Sequence, residues 1–375
     1  MSKSIPEIKL PADLLPADGR FGSGPSKVRQ EAIEALAKAA PSYLGTSHRR
    51  PGVRSVVANI RSGLADLFTL PDGYEVILGN GGATAFWDAA LFGLIEQKSQ
   101  HLSFGEFSAK FAAAVARAPH LKEPEVIESP AGTHPEARPN PEIDVYALTQ
   151  NETSTGVAME IQRPDERGLV LVDATSAAGG MRVDAESFDA YYFSPQKCFG
   201  SDGGMWVACC SPAAIERIER LADSQRWIPP SLDLAIALEN SRKDQTYNTP
   251  ALATIFLLSK QIDWMRDHGG LEWAATRCEF SAAVVYGWAE ESAIATPFVT
   301  RPEDRSPVTA TIDLDRSVDA ATVSAVLREN GIVDTESYRK LGRNQLRFAL
   351  FPAIEPNDVA ILTRAIEHVA ERILD

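Results

Sequence analysis

The sequence predicts an α/β protein, with a large domain on a mostly parallel sheet followed by a small C-terminal α/β domain. Three observations carry this. Short apolar runs alternate with stretches of helical period through the first 250 residues, the order that lays helices over a parallel sheet. Glycine-rich or polar segments close several of those runs, as strand-to-helix turns require. Beyond about residue 250 long helices lead into a separate strand–helix–strand–helix series.

The elements follow in order. Residues 1–20 hold three prolines and are expected to be irregular. Gln30–Ala39 and Arg54–Phe68 place Ala, Ile and Leu at helical spacing. Tyr74–Leu78 is a strand, broken by Gly79-Asn-Gly-Gly82, and Ala83–Ile95 is an apolar helix. His101–Phe104 is a strand and Phe107–Ala116 a helix. Residues 118–142 hold six prolines and are expected to form a surface loop. Val145–Thr149, Leu169–Val172, Ala190–Phe193 and Met205–Cys210 are buried strands. Helices are then expected at Ala251–Met265 and Leu271–Ser292, a strand at Val308–Asp313, a helix at Ala320–Asn330, a strand at Gln345–Leu350 and a closing helix at Pro356–Ile373. This divides the chain into an arm (1–20), a large domain (21–265) and a small domain (266–375).

A net charge of −14 argues against general nucleic-acid binding. The four cysteines show neither metal-ligand nor disulfide spacing, so no metal site and a reducing compartment are expected. The N-terminus lacks the apolar core of a signal peptide, and no apolar run is long enough for a membrane span. A cytoplasmic protein without membrane partners is the expectation.

The chemistry concentrates in two residues. Asp173 closes the apolar run Leu169-Val-Leu-Val, and Lys197 ends Asp189-Ala-Tyr-Tyr-Phe-Ser-Pro-Gln-Lys. Two strands thus deliver a carboxylate and an amine to one sheet edge. A lysine amine can form a Schiff base with an aldehyde cofactor, and a carboxylate can keep a pyridine nitrogen protonated. The pair points to pyridoxal 5'-phosphate (PLP). The bland alternatives are a helix-capping aspartate and a surface lysine. The aromatic residues before Lys197 and the glycines after it do not resemble a solvated face. Gly79-Asn-Gly-Gly-Ala-Thr84 offers a helix N-terminus to a phosphate, although packing alone explains such glycines equally well. Asn151-Glu-Thr-Ser-Thr-Gly156 is a polar loop at the same edge, and ordinary turn chemistry would also produce it.

Seven motifs in order resemble the class V aminotransferases of fold type I, and among them the phosphoserine aminotransferase family of actinobacterial type. They are Phe21-Gly-Ser-Gly-Pro25, Gly45-Thr-Ser-His-Arg49, Gly79–Thr84, Asn151-Glu-Thr153, Asp173, Gln196-Lys197 and Asn248-Thr-Pro250. The resemblance spans essentially the whole chain. It implies a seven-stranded sheet, PLP as cofactor and a homodimer with shared active sites.

It also implies roles. Lys197 would carry the cofactor and Asp173 would meet its ring nitrogen. Phe107 would stack on the ring and Thr153 would lie beside the ring hydroxyl. Ala83, Thr84 and Gln196 would contact the cofactor phosphate, with Asn248 and Thr249 reaching it from the other subunit. Arg49 and Arg347 would bind substrate, with His48 and Arg339 as candidates for its phosphate. Three positions depart from the family pattern: Phe107 for a more usual Trp, Thr84 for a frequent Arg, and Tyr338-Arg339 for a His-Arg pair.

The implied reaction exchanges an amino group between L-glutamate and 3-phosphohydroxypyruvate, in serine biosynthesis and often also in pyridoxine biosynthesis. The rivals are a cysteine desulfurase, an alanine or serine–glyoxylate aminotransferase, and a binding protein of the same fold without turnover.

Overall fold

The computed structural model describes residues 5–374. In chain order its strands are β1 (Glu75–Asn80), β2 (Ser99–Ser103), β3 (Glu125–Glu128), β4 (Val145–Thr149), β5 (Asn151–Glu152), β6 (Val157–Ala158), β7 (Leu169–Asp173), β8 (Ala190–Phe193) and β9 (Met205–Cys210). Then follow β10 (Ala295–Pro297), β11 (Thr309–Leu314) and β12 (Gln345–Ala349). The helices used below are α1 (Gln30–Tyr43), α2 (Pro51–Leu67), α3 (Ala83–Gly93), α4 (Glu106–Ala116), α5 (Pro212–Ala222), α6 (Leu234–Arg242), α7 (Leu252–Asp267), α8 (Gly270–Glu291), α9 (Ala320–Glu329) and α10 (Pro356–Leu374).

The main sheet has seven strands in the order β1-β9-β8-β7-β4-β2-β3. Only β9 runs antiparallel to its neighbours. The others are parallel, so both faces need helices. Strands β4, β7, β8 and β9 are buried at every residue, which is why they appear as unbroken apolar runs. On one side α2 buries Val53, Val57, Ile60, Leu64 and Leu67, one face at helical spacing. On the other, α3, α5 and α6 cover Ile77, Tyr192 and Trp206. Register sets Thr149 opposite Asp173 and Asp173 opposite Tyr192. The carboxyl ends of β4, β7 and β8 therefore form one edge, where open α/β sheets place ligands.

A second sheet, β10-β11-β12, is antiparallel and packs with α8, α9 and α10 around its own core, including Ile312, Phe348, Leu362 and Ile366. The arm belongs to this core through Leu10. The Leu10 amide donates to Asn330 Oδ1 at 2.9 Å, and the Ala17 amide to Asp358 Oδ1 at 2.8 Å.

Three departures from the expected elements stand out. The proline-rich stretch 118–142 is not wholly loop: residues 125–128 pair in parallel with β2 as the edge strand β3. Its four residues alternate partly buried and exposed, the mark of an edge. Helices α5 and α6 occupy a region where no element was expected. Charged residues interrupt the apolar positions of α5, yet Ile215, Ile218 and Leu221 share its buried face. Strand β10 is only three residues long and includes Pro297, so it carries little strand signal.

Candidate active site

Asp173 and Lys197 line one cavity of about 320 Å³ at the carboxyl edge of the main sheet, within the range of small-molecule sites. Both are buried. Burial pushes the Asp173 carboxyl up to about 6. The nearby Glu152 charge adds to the rise, and Thr175 opposes it, its amide donating to Asp173 Oδ1 at 2.9 Å. Burial likewise brings the Lys197 ammonium down to about 8, helped by the Arg347 charge and opposed by Asp173. The Lys197 amine donates to the Ser23 carbonyl. Gly24 makes that contact possible. Its φ is +126°, and a Cβ there would lie 2.4 Å from Lys197 Nζ. Two bonds from Ser26, to the carbonyls of Gln196 and Lys197, pin this segment to the lysine turn.

The glycine turn before α3 divides its duties. Gly79 is a packing glycine, since a Cβ would lie 2.1 Å from the Trp206 ring. Gly82 faces the cavity, and a Cβ there would meet only Ser194 Oγ at 3.7 Å. No side chain caps α3. Among the described residues no bond holds the Ala83 and Thr84 amides, so the positive end of the helix opens on the cavity.

The remaining predicted residues fall into two groups. Ala83, Thr84, Phe107, Thr153 and Gln196 line the cavity with Asp173 and Lys197. The Phe107 ring centroid lies 5.9 Å from Lys197 Nζ. Arg347 does not line the cavity but reaches its Thr153 wall from β12: its Nη1 donates to the Thr153 carbonyl at 3.1 Å, and its guanidinium lies 5.3 Å from the Tyr338 ring centroid. Outside the cavity of the same chain are His48, Arg49, Asn248, Thr249 and Arg339. Four of these are exposed and His48 is half-buried. His48 and Thr249 do meet, Nδ1 to Oγ1 at 3.2 Å, and the Thr249 carbonyl accepts from Asn80 Nδ2 at 3.0 Å.

Several wall residues were not singled out from the sequence. Trp87, Thr175 and Ser176 line the cavity. Ser176 Oγ receives both Thr153 Oγ1 and Asn151 Nδ2 at 2.8 Å. Trp87 sits one helical turn beyond Ala83, a spacing that could have flagged it; the serine and threonine after Asp173 resemble any capping sequence. Asn151 Oδ1 and Gln196 Oε1 on the cavity wall, and Arg347 Nε behind the Thr153 turn, are buried and lack a hydrogen-bond partner among the described residues, while the Trp87 and Thr175 side chains turn toward the Asp173 carboxyl and oppose its rise. Buried polar atoms rarely stay unpaired, so their convergence fits a polar ligand. With an amine, a desolvated carboxylate and an open helix start, the set fits a phosphorylated pyridine aldehyde.

A family model described as Aminotransferase class-V matches residues 20–335. This chain belongs to the class V aminotransferase family. Among sequence relatives of this aminotransferase, one from Mycobacterium avium (strain 104) is 58% identical over 98% of this chain and 99% of its own. Another, named phosphoserine aminotransferase, from Rhodococcus jostii (strain RHA1), is 56% identical over 97% of this chain and 98% of its own. Among solved structures, a phosphoserine aminotransferase from Cytophaga hutchinsonii superposes with a TM-score of 0.86 at 26% identity, covering 94% of this chain and 99% of its own. An aspartate aminotransferase from Thermus thermophilus reaches 0.79 at 24% identity, covering 94% and 99%, a likeness of fold alone.

Proposed function

We propose that the chain is a PLP-dependent phosphoserine aminotransferase, exchanging an amino group between L-glutamate and 3-phosphohydroxypyruvate to give 2-oxoglutarate and O-phospho-L-serine. The observation that carries this is the convergence of Lys197, Asp173, the open start of α3 and the unpartnered Asn151 Oδ1 and Gln196 Oε1 on one cavity, in a chain so similar to a named phosphoserine aminotransferase.

Bound there, PLP would supply the aldehyde that takes the amino group and a ring that absorbs carbanion charge. The chain's own residues do the rest. Lys197, its ammonium brought down to about 8, has a neutral fraction at mildly alkaline pH, so Nζ can accept the substrate's α-proton and return it. The Asp173 carboxylate would hold a proton at a pyridine nitrogen beside it, and a cation there would favour the ionised carboxylate. The free Ala83 and Thr84 amides would hold the cofactor phosphate. Arg347, with Nε unpartnered, grips the substrate carboxylate through a planar fork. Burial of the site keeps water from competing for these bonds.

In this reading two copies share sites. The exposed cluster of His48, Arg49, Asn248 and Thr249 would then complete the partner's cavity, and Arg339 would meet substrate at the mouth. The separation of that cluster from its own cavity supports this. The division into a large domain (21–265) and a small one (266–375) belongs to the same reading, supported by the separate core around β11 and β12. So does a cytoplasmic location; no described helix is long and apolar enough to cross a membrane. All four cysteines are buried, with thiols held above their usual range by burial, which disfavours a desulfurase.

The test is spectroscopic. Purified protein should be yellow, and L-glutamate should bleach it with release of 2-oxoglutarate. O-Phosphoserine should do so far more readily than serine, alanine or cysteine. Equal reaction with alanine would overturn the substrate, and a protein that takes up no PLP would overturn the cofactor.

A further inference from the structure

Glu152 has no part in the chemistry above, yet it is fully buried between two walls of the site. It ends β5, in the hairpin that also carries Thr153. Its carboxylate accepts five hydrogen bonds, all from neutral groups. Oε2 takes the amides of Phe107 and Ser108 at 3.1 and 2.9 Å and the Ser108 hydroxyl at 2.9 Å. Oε1 takes the Ser154 amide at 3.2 Å and its hydroxyl at 2.7 Å.

The backbone amides can only donate, and the surroundings of the two hydroxyls narrow their directions too. Ser108 Oγ already accepts from the amides of Phe104 and Gly105, and Ser154 Oγ from that of Glu106. The Ser154 proton is left for Glu152, and the Ser108 proton has Glu152 Oε2 at 2.9 Å and the Gly105 carbonyl at 3.2 Å as acceptors. The pocket offers donors only, so it is built for an acceptor-only group, a carboxylate. The fit is close: a Cβ on Gly105 would lie 2.3 Å from Glu152 Cγ.

The consequences reach the cavity along two paths. The bond to the Phe107 amide fixes the first turn of α4, and with it the ring beside Lys197. The bonds to Ser154 hold the turn containing Thr153, whose carbonyl receives Arg347 and whose hydroxyl meets Ser176. We propose that Glu152 is a positioning residue, a single carboxylate that clamps the first turn of α4 to the 153–156 turn and so sets the spacing of Phe107, Thr153 and Arg347. The inference rests on the PLP reading of the cavity but can be tested partly without it.

The experiment compares wild type with Glu152→Gln and Glu152→Asp. Gln places an amide NH₂ among donors. Asp keeps the charge but is too short to reach both donor sets. In apoprotein, hydrogen exchange at the Phe107 and Ser108 amides should quicken about tenfold or more in Glu152→Gln, the scale for losing a charge-assisted bond. Equilibrium PLP affinity should fall about tenfold or more by the same reasoning, and KM for glutamate should rise through Arg347. Glu152→Asp should lie between. A purely structural role would lower Tm and leave the folded fraction's PLP affinity unchanged; that result overturns the proposal. Should Glu152→Gln not fold, wild-type exchange and affinity in Glu152→Asp would overturn it equally. Wild type that binds no PLP would remove the underlying reading, while the exchange data would still decide the clamp.

Discussion

Helices α3 and α4 start alike and end up serving opposite purposes. Each is eleven residues long, each follows a glycine in extended backbone, and each begins at the carboxyl edge of the main sheet. At α4 the chain supplies its own anion: Glu152 and Ser154 take the free amides of the first turn. At α3 no side chain takes them, and they face the cavity. A filled helix start is architecture and an empty one is a receptor. The difference lies in whether a neighbouring hairpin brings a carboxylate, not in the helix itself.

That contrast can be broken from the α3 side. Gly82→Asp would give α3 an internal cap. The backbone there is extended and the added Cβ has room. Apoprotein should gain a few tenths of a kcal/mol at most. PLP affinity should collapse by about 10³-fold, because a carboxylate would face the phosphate across a short gap. Isothermal titration of apoprotein with PLP checks this, and retained affinity would mean the phosphate sits elsewhere.

Asp173 offers the next largest effect. Burial holds its carboxyl at about 6, against 3.8 when exposed. The folded state therefore binds the proton more tightly, and the stability this contributes below pH 4 is lost as pH rises through about 6. Asp173→Asn cannot ionise and can still accept from the Thr175 amide. Its apoprotein should match wild type near pH 4 and exceed it by roughly 2–3 kcal/mol at pH 8, while the PLP-loaded protein loses activity. Urea unfolding of both apoproteins across this pH range measures the difference.

From the α4 side, Gly105→Ala forces a methyl against the buried carboxylate and should cost about 1–3 kcal/mol, as overpacking does, read as a lower Tm. The smallest effect belongs to the ion pair between the exposed Lys340 and the half-buried Glu106, 2.5 Å apart. Lys340→Ala should change stability by about 1 kcal/mol or less and be indistinguishable from wild type in high salt.

The contrast also shows what the sequence could carry. Asp173 and Lys197 were legible because each closes a buried run, and buried runs in register deliver their last residues to one edge. The main sheet and most helices were legible for the same reason. The strand at Glu125–Glu128 was not, because an edge strand among prolines needs only four residues and one neighbour. The opposite fates of Gly82 and Gly105 were not, because they depend on Glu152, more than forty residues later. Thr175 and Ser176 enter the cavity through tertiary packing and nothing local marks them, whereas Trp87 is marked only by its helical spacing from Ala83. Arg49, Asn248 and Thr249 show the reverse: the motifs are plain in the sequence, yet the folded chain keeps them out of its own cavity.

The most direct test of the whole account is chemical. PLP-loaded protein reduced with borohydride and digested should yield one pyridoxylated peptide, with the label on Lys197. A label on another lysine, or none in protein that has taken up PLP, would contradict the account at its centre.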